Sequence, residues 1–258
     1  MIVFFGSNLK AQSDSNSSNS TVIDSTLTVM PESHKMNMIK INLLALPLKT
    51  FTLQYERVIK KYLSVALSVR YMPNGSVPYK NWIYNRFGDD DPESKETIDN
   101  MRISNYAITP EVRFYVGKKG YGSGFYISPS FRYAHFNLDN IEYSYVDDTD
   151  EESYINMSGK MNAYYGGFLL GTQWLLGEHL SLDWWIFAPF IGGEKTSLSG
   201  TTSVPLSEEN QQILKENLED VDIPYTDTEV QVNANGASIQ LNGLIAGISA
   251  GLAFGVRF

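Results

Sequence analysis

Seven charged residues alternate with apolar side chains along extended segments: Lys40, Glu56, Arg70, Glu111, Arg113, Arg132 and Asp183. Lys40, Arg70, Arg113 and Arg132 carry positive charge; Glu56, Glu111 and Asp183 carry negative charge. Glu111 and Arg113 are two positions apart, which places both on one face of a strand. Charges gathered in an interior must be paired, because removing each from water costs several kcal/mol. The chemistry this pattern supports is a polar network of ion pairs and hydrogen bonds. A narrow ion path or a ligand pocket is the alternative.

Other candidates are weaker. The acidic run Asp147, Asp148 and Asp150 invites a divalent cation, as does Asp89 to Asp91. Calcium needs six to eight oxygens from a shaped loop, and neither run has the spaced acids, central glycine and distant glutamate of a helix-flanked calcium loop. We read both as solvated acidic loops; the alternative is loose bridging of divalent ions to lipopolysaccharide phosphates. Neither a structural metal nor a cofactor is expected. An enzyme acting on lipid would need a histidine beside a serine and a carboxylate. His34 precedes the first strand, and His179 lies in a tight turn on the periplasmic side, the wrong side for such an enzyme. His135 shares its parity with no serine and acid, and reads as an interfacial aromatic beside Tyr133. The expectation is no enzyme. The sequence contains no cysteine, which excludes disulfides, thiolate metal sites and a cysteine nucleophile. A net charge of −9 argues against nucleic acid as a partner.

The elements that must position the seven charges are strands. Ile248, Ala250, Leu252, Phe254, Val256 and Phe258 recur at every second position to the end of the sequence, alternating with small or polar residues. Such a strand, closed by an aromatic, has the pattern of the last strand of a bacterial outer-membrane barrel. Phe254, Val256 and Phe258 are then an assembly signal for barrel-insertion machinery. Seven further alternating segments precede it: Ile39 to Leu46, Phe51 to Val58, Leu63 to Met72, Tyr106 to Tyr115, Phe125 to Tyr133, Tyr164 to Trp174, and Leu180 to Phe190. Phe190 is read on the outer face with Leu180, Leu182, Trp184 and Ile186. The glycines Gly247, Gly251 and Gly255 face inward and leave room for Arg and Tyr side chains of other strands.

Connections alternate between tight turns at Lys60, Gly117 and Gly177 and long polar stretches at Pro73 to Ile103, Asp139 to Ser158 and Gly193 to Ala237. Short turns on one side and long loops on the other are the habit of outer-membrane barrels. Sixteen tyrosines and 13% aromatic residues would supply the girdles at the two interfaces. The fold expected is all-β: a transmembrane antiparallel up-and-down barrel of eight strands with long extracellular loops and both termini periplasmic. Ten strands are the alternative if the last loop hides a hairpin, with Glu229 to Val232 as its strand. Within that loop, Ser207 caps a short helix whose apolar face is Leu214 and Leu218.

Residues 1–12 read as the remnant of a signal peptide, 13–37 as a flexible linker, and 38–258 as the barrel. The stretches Lys40-Ile-Asn-Leu-Leu, Thr50-Phe-Thr-Leu-Gln-Tyr-Glu-Arg, Tyr62-Leu-Ser-Val, Arg113-Phe-Tyr, Gly124-Phe-Tyr-Ile-Ser-Pro and Gly177-Glu-His-Leu-Ser-Leu-Asp resemble a family of small OmpX/OmpA-like outer-membrane barrels of Bacteroidota whose function is unknown. The resemblance implies the fold and the compartment and carries no catalytic residue. The function expected is that of a structural or interaction protein, or an accessory subunit of an outer-membrane complex, with a plugged lumen and acidic surface loops. Its partners would be outer-membrane lipid, lipopolysaccharide, the assembly machinery and other outer-membrane proteins. A small pore or transporter, and less so a lipid A-modifying enzyme, are the alternatives.

Overall fold

The structure is a computed structural model that describes residues 35–87, 92–147, 152–202, 205–220 and 224–258. The signal remnant, the linker through Ser33, His34, Asp89 to Asp91, Asp148 and Asp150 lie outside the described residues.

Nine antiparallel strands form one sheet. They are β1 (Asn37–Asn42), β2 (Phe51–Lys60), β3 (Leu63–Ser76), β4 (Arg102–Val116), β5 (Gly124–Val146), β6 (Glu152–Leu176), β7 (Leu180–Thr201), β8 (Thr226–Asn233) and β9 (Gly236–Arg257). Seven of them, β1 to β7, pair in order, β7 pairs with β9, and β9 returns to β1, so eight strands close a ring. Register partners lead from Ile41 through Leu53, Val69, Ile108, Tyr133, Tyr164 and Gly193 to Leu244, while Ile41 itself pairs with Phe254, ten residues further along. That stagger tilts the strands, and an eight-strand ring of this kind has a bore that side chains can fill.

Alternation decides which side chains fill it. Ile41, Leu53, Val69, Ile108 and Tyr164 all point outward and are exposed. Their neighbours Lys40, Gln54, Ser68, Thr109 and Ala163 point inward and are buried. At the end holding the C-terminus, the near end, backbone bonds between Asn37 and Phe258 seal β1 to β9. The turn after β4 folds back toward β3, where the Tyr121 N–H donates to the Lys61 carbonyl at 2.6 Å. Gly122 lies under Met38 and Val58 with φ of +78°, and a Cβ there would collide with the Met38 side chain.

The wall is uneven in height. β1 has 6 residues, β6 has 25, and β5, β7 and β9 have 22 or 23. Three expectations are corrected here. First, β1 stops at Asn42, whose side chain accepts the Leu44 N–H at 3.0 Å; a 3₁₀ turn at Leu46–Leu48 then carries Pro47. Second, the stretches from Asp139 and from Gly193 are largely sheet, with β5 running to Val146 and β7 to Thr201. Beyond the ring the pattern inverts: Ile155, Met157, Leu198 and Ile239 face in, and Lys195, Ser197 and Ser199 face out. A bulge near Asn140, with φ of +57°, turns Tyr143 and Tyr145 inward on β5. A reading keyed to apolar-outward alternation therefore ends where the inversion begins. Third, a bulge between Trp185 and Ala188 leaves Ile186 and Phe187 both outside and turns Phe190 into the bore, 4.5 Å from the Tyr165 ring.

The strand at Glu229 to Val232 exists as β8. It forms a hairpin with the far part of β9 and does not enter the ring, so the ring keeps eight strands. The polar stretch after β3 holds α1 (Lys80–Phe87) and α2 (Pro92–Asn100), tied to β5 by Thr97 Oγ1 donating to the Glu142 carbonyl at 3.1 Å. In the last connection, α3 (Glu208–Glu219) is capped by Ser207, whose side chain accepts the Asn210 N–H at 3.1 Å. Leu214 and Leu218 of α3 are buried with Tyr145, Ile155, Met157 and Ala237 in a second core above the ring, the crown.

Because this core shares no buried residue with the near end of the ring, Leu214→Ala should loosen the crown alone. The expected cost is about 2–5 kcal/mol. Hydrogen exchange should show lost protection in α3 and β8 with β1 to β4 unchanged; loss spread evenly over the ring would contradict this separation.

Candidate functional site

The inward face of the near end holds five of the seven charged residues in one cluster. Lys40 from β1, Glu56 from β2, Glu111 and Arg113 from β4, and Asp183 from β7 converge there, and Lys40, Glu56, Arg113 and Asp183 are fully buried. The Lys40 ammonium donates to Glu56, to Gln173 and, at 2.8 Å, to Asp183 Oδ2. Arg113 donates to Asp183 at 2.5 Å, to Glu56 at 3.2 Å and to Glu111 at 2.9 and 3.1 Å.

Neutral groups complete the set. Tyr115 and Tyr126 donate their hydroxyls to Glu56 and Asp183, each at 2.7 Å. Ser64 donates to Glu56 at 2.6 Å, and Gln54 bridges Arg113, Glu111 and Ser68. Gln173 donates its amide to the Gly122 carbonyl at 2.7 Å. The Arg113 guanidinium also lies 4.6 Å from the Tyr126 ring centroid. Every strand from β1 to β7 contributes a group. The sequence reading left Gln54, Ser64, Tyr115, Tyr126 and Gln173 out of the network, although all share the inward parity of the charges.

Two carboxylates and a guanidinium at these distances could in another setting hold a metal or move a proton. Here each carboxylate oxygen has a donor, and no group of three or more metal ligands occurs among the described residues. The chemistry of the cluster is mutual neutralisation across the bore.

Arg70 and Arg132 are not drawn into it. They point inward farther along, on β3 and β5, with no ion pair among the described residues. Arg132 Nε donates to Thr109 Oγ1 at 2.7 Å, and its guanidinium faces the Tyr165 ring at 5.7 Å. The buried Arg70 Nε has no hydrogen-bond partner among the described residues. The expectation that every interior charge finds an opposite one therefore fails for these two: the three carboxylates of the cluster are engaged by Lys40 and Arg113, and the inward Glu194 on β7 accepts from Thr196 Oγ1.

The remaining candidates are scattered. Phe254, Val256 and Phe258 are exposed on the outer face at the near end. Asp147 accepts from Ser153 Oγ at 3.0 Å. His135 places Nδ1 2.8 Å from the Asn162 side-chain oxygen and Nε2 3.3 Å from that of Asn137, and its ring stacks 4.9 Å from Tyr106.

Residues 20–226, from the linker to the start of β8, match the family described as Protein of unknown function (DUF3575). The chain belongs to that family. The DUF3575 match takes in every charged residue of the cluster. No curated protein and no solved structure matches the chain.

Asp183 accepts from Lys40, Arg113 and Tyr126, whereas Glu111 serves one cation that keeps two other carboxylates. Asp183→Ala should therefore cost about 3–5 kcal/mol, the range for breaking a buried pair and stranding its partner. Glu111→Ala should cost clearly less. Urea unfolding followed by the heat-dependent shift in gel migration would rank them; equal losses would contradict the arrangement.

Proposed function

We propose that this DUF3575 chain is an integral protein of the bacterial outer membrane. In this reading the ring is a closed anchor, and the crown is the surface that meets other molecules. The observation that carries the reading is the outer face of the ring. Exposed large apolar side chains occur on all eight ring strands, among them Ile41, Leu53, Val69, Ile108, Phe131, Phe168, Trp184 and Ile248. A water-soluble barrel with this exterior would aggregate. Lipid accepts it, provided that all backbone groups in contact with hydrocarbon are paired, as ring closure arranges for most of the circumference.

Orientation follows from the connections. Tight turns at Lys61, Gly117 and Gly177 belong at the periplasmic end with both ends of the ring, and the crown belongs outside. Spanning needs about 9–11 residues per tilted strand, so much of β5, β6, β7 and β9 would stand clear of the bilayer. The inversion of alternation in the crown agrees with that division, since a sheet in water turns its polar face outward. The resemblance of its strand motifs to those of small OmpX-like barrels of Bacteroidota supports the same compartment. Phe254, Val256 and Phe258 would present the terminal strand to assembly machinery. Lipid and lipopolysaccharide would surround the belt, and other outer-membrane proteins would be the partners of the crown.

The near-end cluster favours an anchor over a pore, because fixed charges bridging the bore leave no water path through it. No arrangement at His135 favours an enzyme over an interaction protein. Reconstituted with phospholipid, the protein should float with vesicles after a urea wash and show no steady single-channel steps in a planar bilayer. Recovery of the folded protein in the soluble fraction would overturn the membrane reading. Steady conductance would overturn the closed-anchor reading.

A further inference from the structure

Above the cluster the bore is not filled. A cavity of about 220 Å³ lies there, with Arg70, Arg132, Thr109 and Tyr165 in its wall. Glu111 also lines it, but its oxygens are taken by Arg113 and Gln54. The cavity thus contains two guanidinium groups with no facing carboxylate free to neutralise them. One of them keeps a buried Nε without a partner among the described residues. A half-buried cation pair of this kind is costly unless an anion completes it. Arginine is also suited to carboxylate and phosphate, because its planar fork donates two parallel bonds.

The cavity has a side entrance. On the edge of β9 that meets β1, pairing covers Ala253 to Arg257; on the same edge β8 covers Gly236 to Gly243. Between them only the ends are fastened, by the Leu43 N–H to the Leu252 carbonyl and the Leu244 N–H to the Tyr225 carbonyl. No strand pairs with the intervening edge among the described residues. The short β1 and its 3₁₀ turn cause this gap, because the wall beside β9 ends at Asn42. The cavity reaches it: Leu44, Ala45 and Leu48 line one side, and Ser249 and Ala250 the other. Leu44, Ala45, Leu48 and Ala250 therefore give the opening a mainly apolar rim, and cations lie behind it.

We infer that this cavity binds the anionic headgroup of an amphiphile whose alkyl chain leaves through the seam between the β1–β2 connection and β9. The volume fits a headgroup and falls short of the about 300–1,000 Å³ of sites that enclose a whole small molecule. The shared ligand chemistry is a carboxylate or phosphate on an alkyl chain. Entry from the bilayer rests on the membrane reading above; binding in detergent does not, so vesicle flotation and the experiment below fail separately.

Protein purified in dodecyl maltoside would be mixed with dodecyl phosphate, laurate, dodecanol or inorganic phosphate and examined by native mass spectrometry. One dodecyl phosphate or laurate should be retained per chain, and the firmer of the two identifies the headgroup. The double variant Arg70→Gln/Arg132→Gln should bind it about tenfold or more weakly, the order expected for losing charge-assisted hydrogen bonds. Ala250→Trp keeps both arginines, fills the seam and should weaken the alkyl anions as well; native gel migration verifies that each variant is folded. Retention of dodecanol as firm as that of dodecyl phosphate would overturn the proposal, as would unchanged binding in the folded double variant. Inorganic phosphate held as firmly as dodecyl phosphate would make the site one for a soluble anion and overturn the amphiphile. Undiminished binding in Ala250→Trp would overturn the route.

Discussion

The ring depends on the ion-pair cluster that crosses its bore. Lys40 reaches from β1 to β2, β6 and β7, and Arg113 reaches from β4 to the same carboxylates. These bonds join strands on opposite sides of the ring, where sheet pairing only joins neighbours. Such a cluster is worth little as a source of stability in itself, since desolvation offsets most of the attraction. It does fix the ring, because a one-residue slip of a strand moves its inward charge to the outer face. Room for it comes from residues without side chains. A Cβ at Gly255 would lie 2.6 Å from Lys40 Cγ, and one at Gly171 would lie 2.5 Å from the Tyr126 hydroxyl.

The rest of the molecule follows from where that cluster stops. It engages Glu111, the one carboxylate that also lines the cavity above it, so Arg70 and Arg132 are left facing that cavity without a counter-charge. The short β1 then leaves the edge of β9 uncovered beside that cavity. The tall strands β5, β6, β7 and β9 rise beyond it into the crown, which α3 stabilises from within. A closed near end, an open middle and a built-up far end are three consequences of one uneven wall.

Much of the ring was legible in the sequence, because the belt alternates in a single sense and the turns are marked by glycine and lysine. The inward charges were legible for the same reason: Lys40, Arg70 and Arg132 each sit between two apolar neighbours. What escaped reading has specific physical causes. The bulge after Trp185 shifts parity by one residue, so Phe190 was assigned to the outer face although it packs on Tyr165. The crown strands carry the opposite alternation and read as loop. The inward glycines were expected to make way for Arg and Tyr, but a Cβ at Gly251, Gly247 or Gly255 would meet Trp185, Phe190 or Lys40. Which charges pair and which stand alone depends on register and on the stagger of the ring, and no periodicity records either.

Absence of cysteine makes the central claim, a membrane-spanning ring with its crown outside, directly measurable. Lys215 on α3 and Lys118 in the turn after β4 are exposed at opposite ends. In intact cells, a membrane-impermeant maleimide should label Lys215→Cys at once and Lys118→Cys only after the outer membrane is permeabilised. Equal labelling of the two before permeabilisation, or the reverse order, would contradict the account.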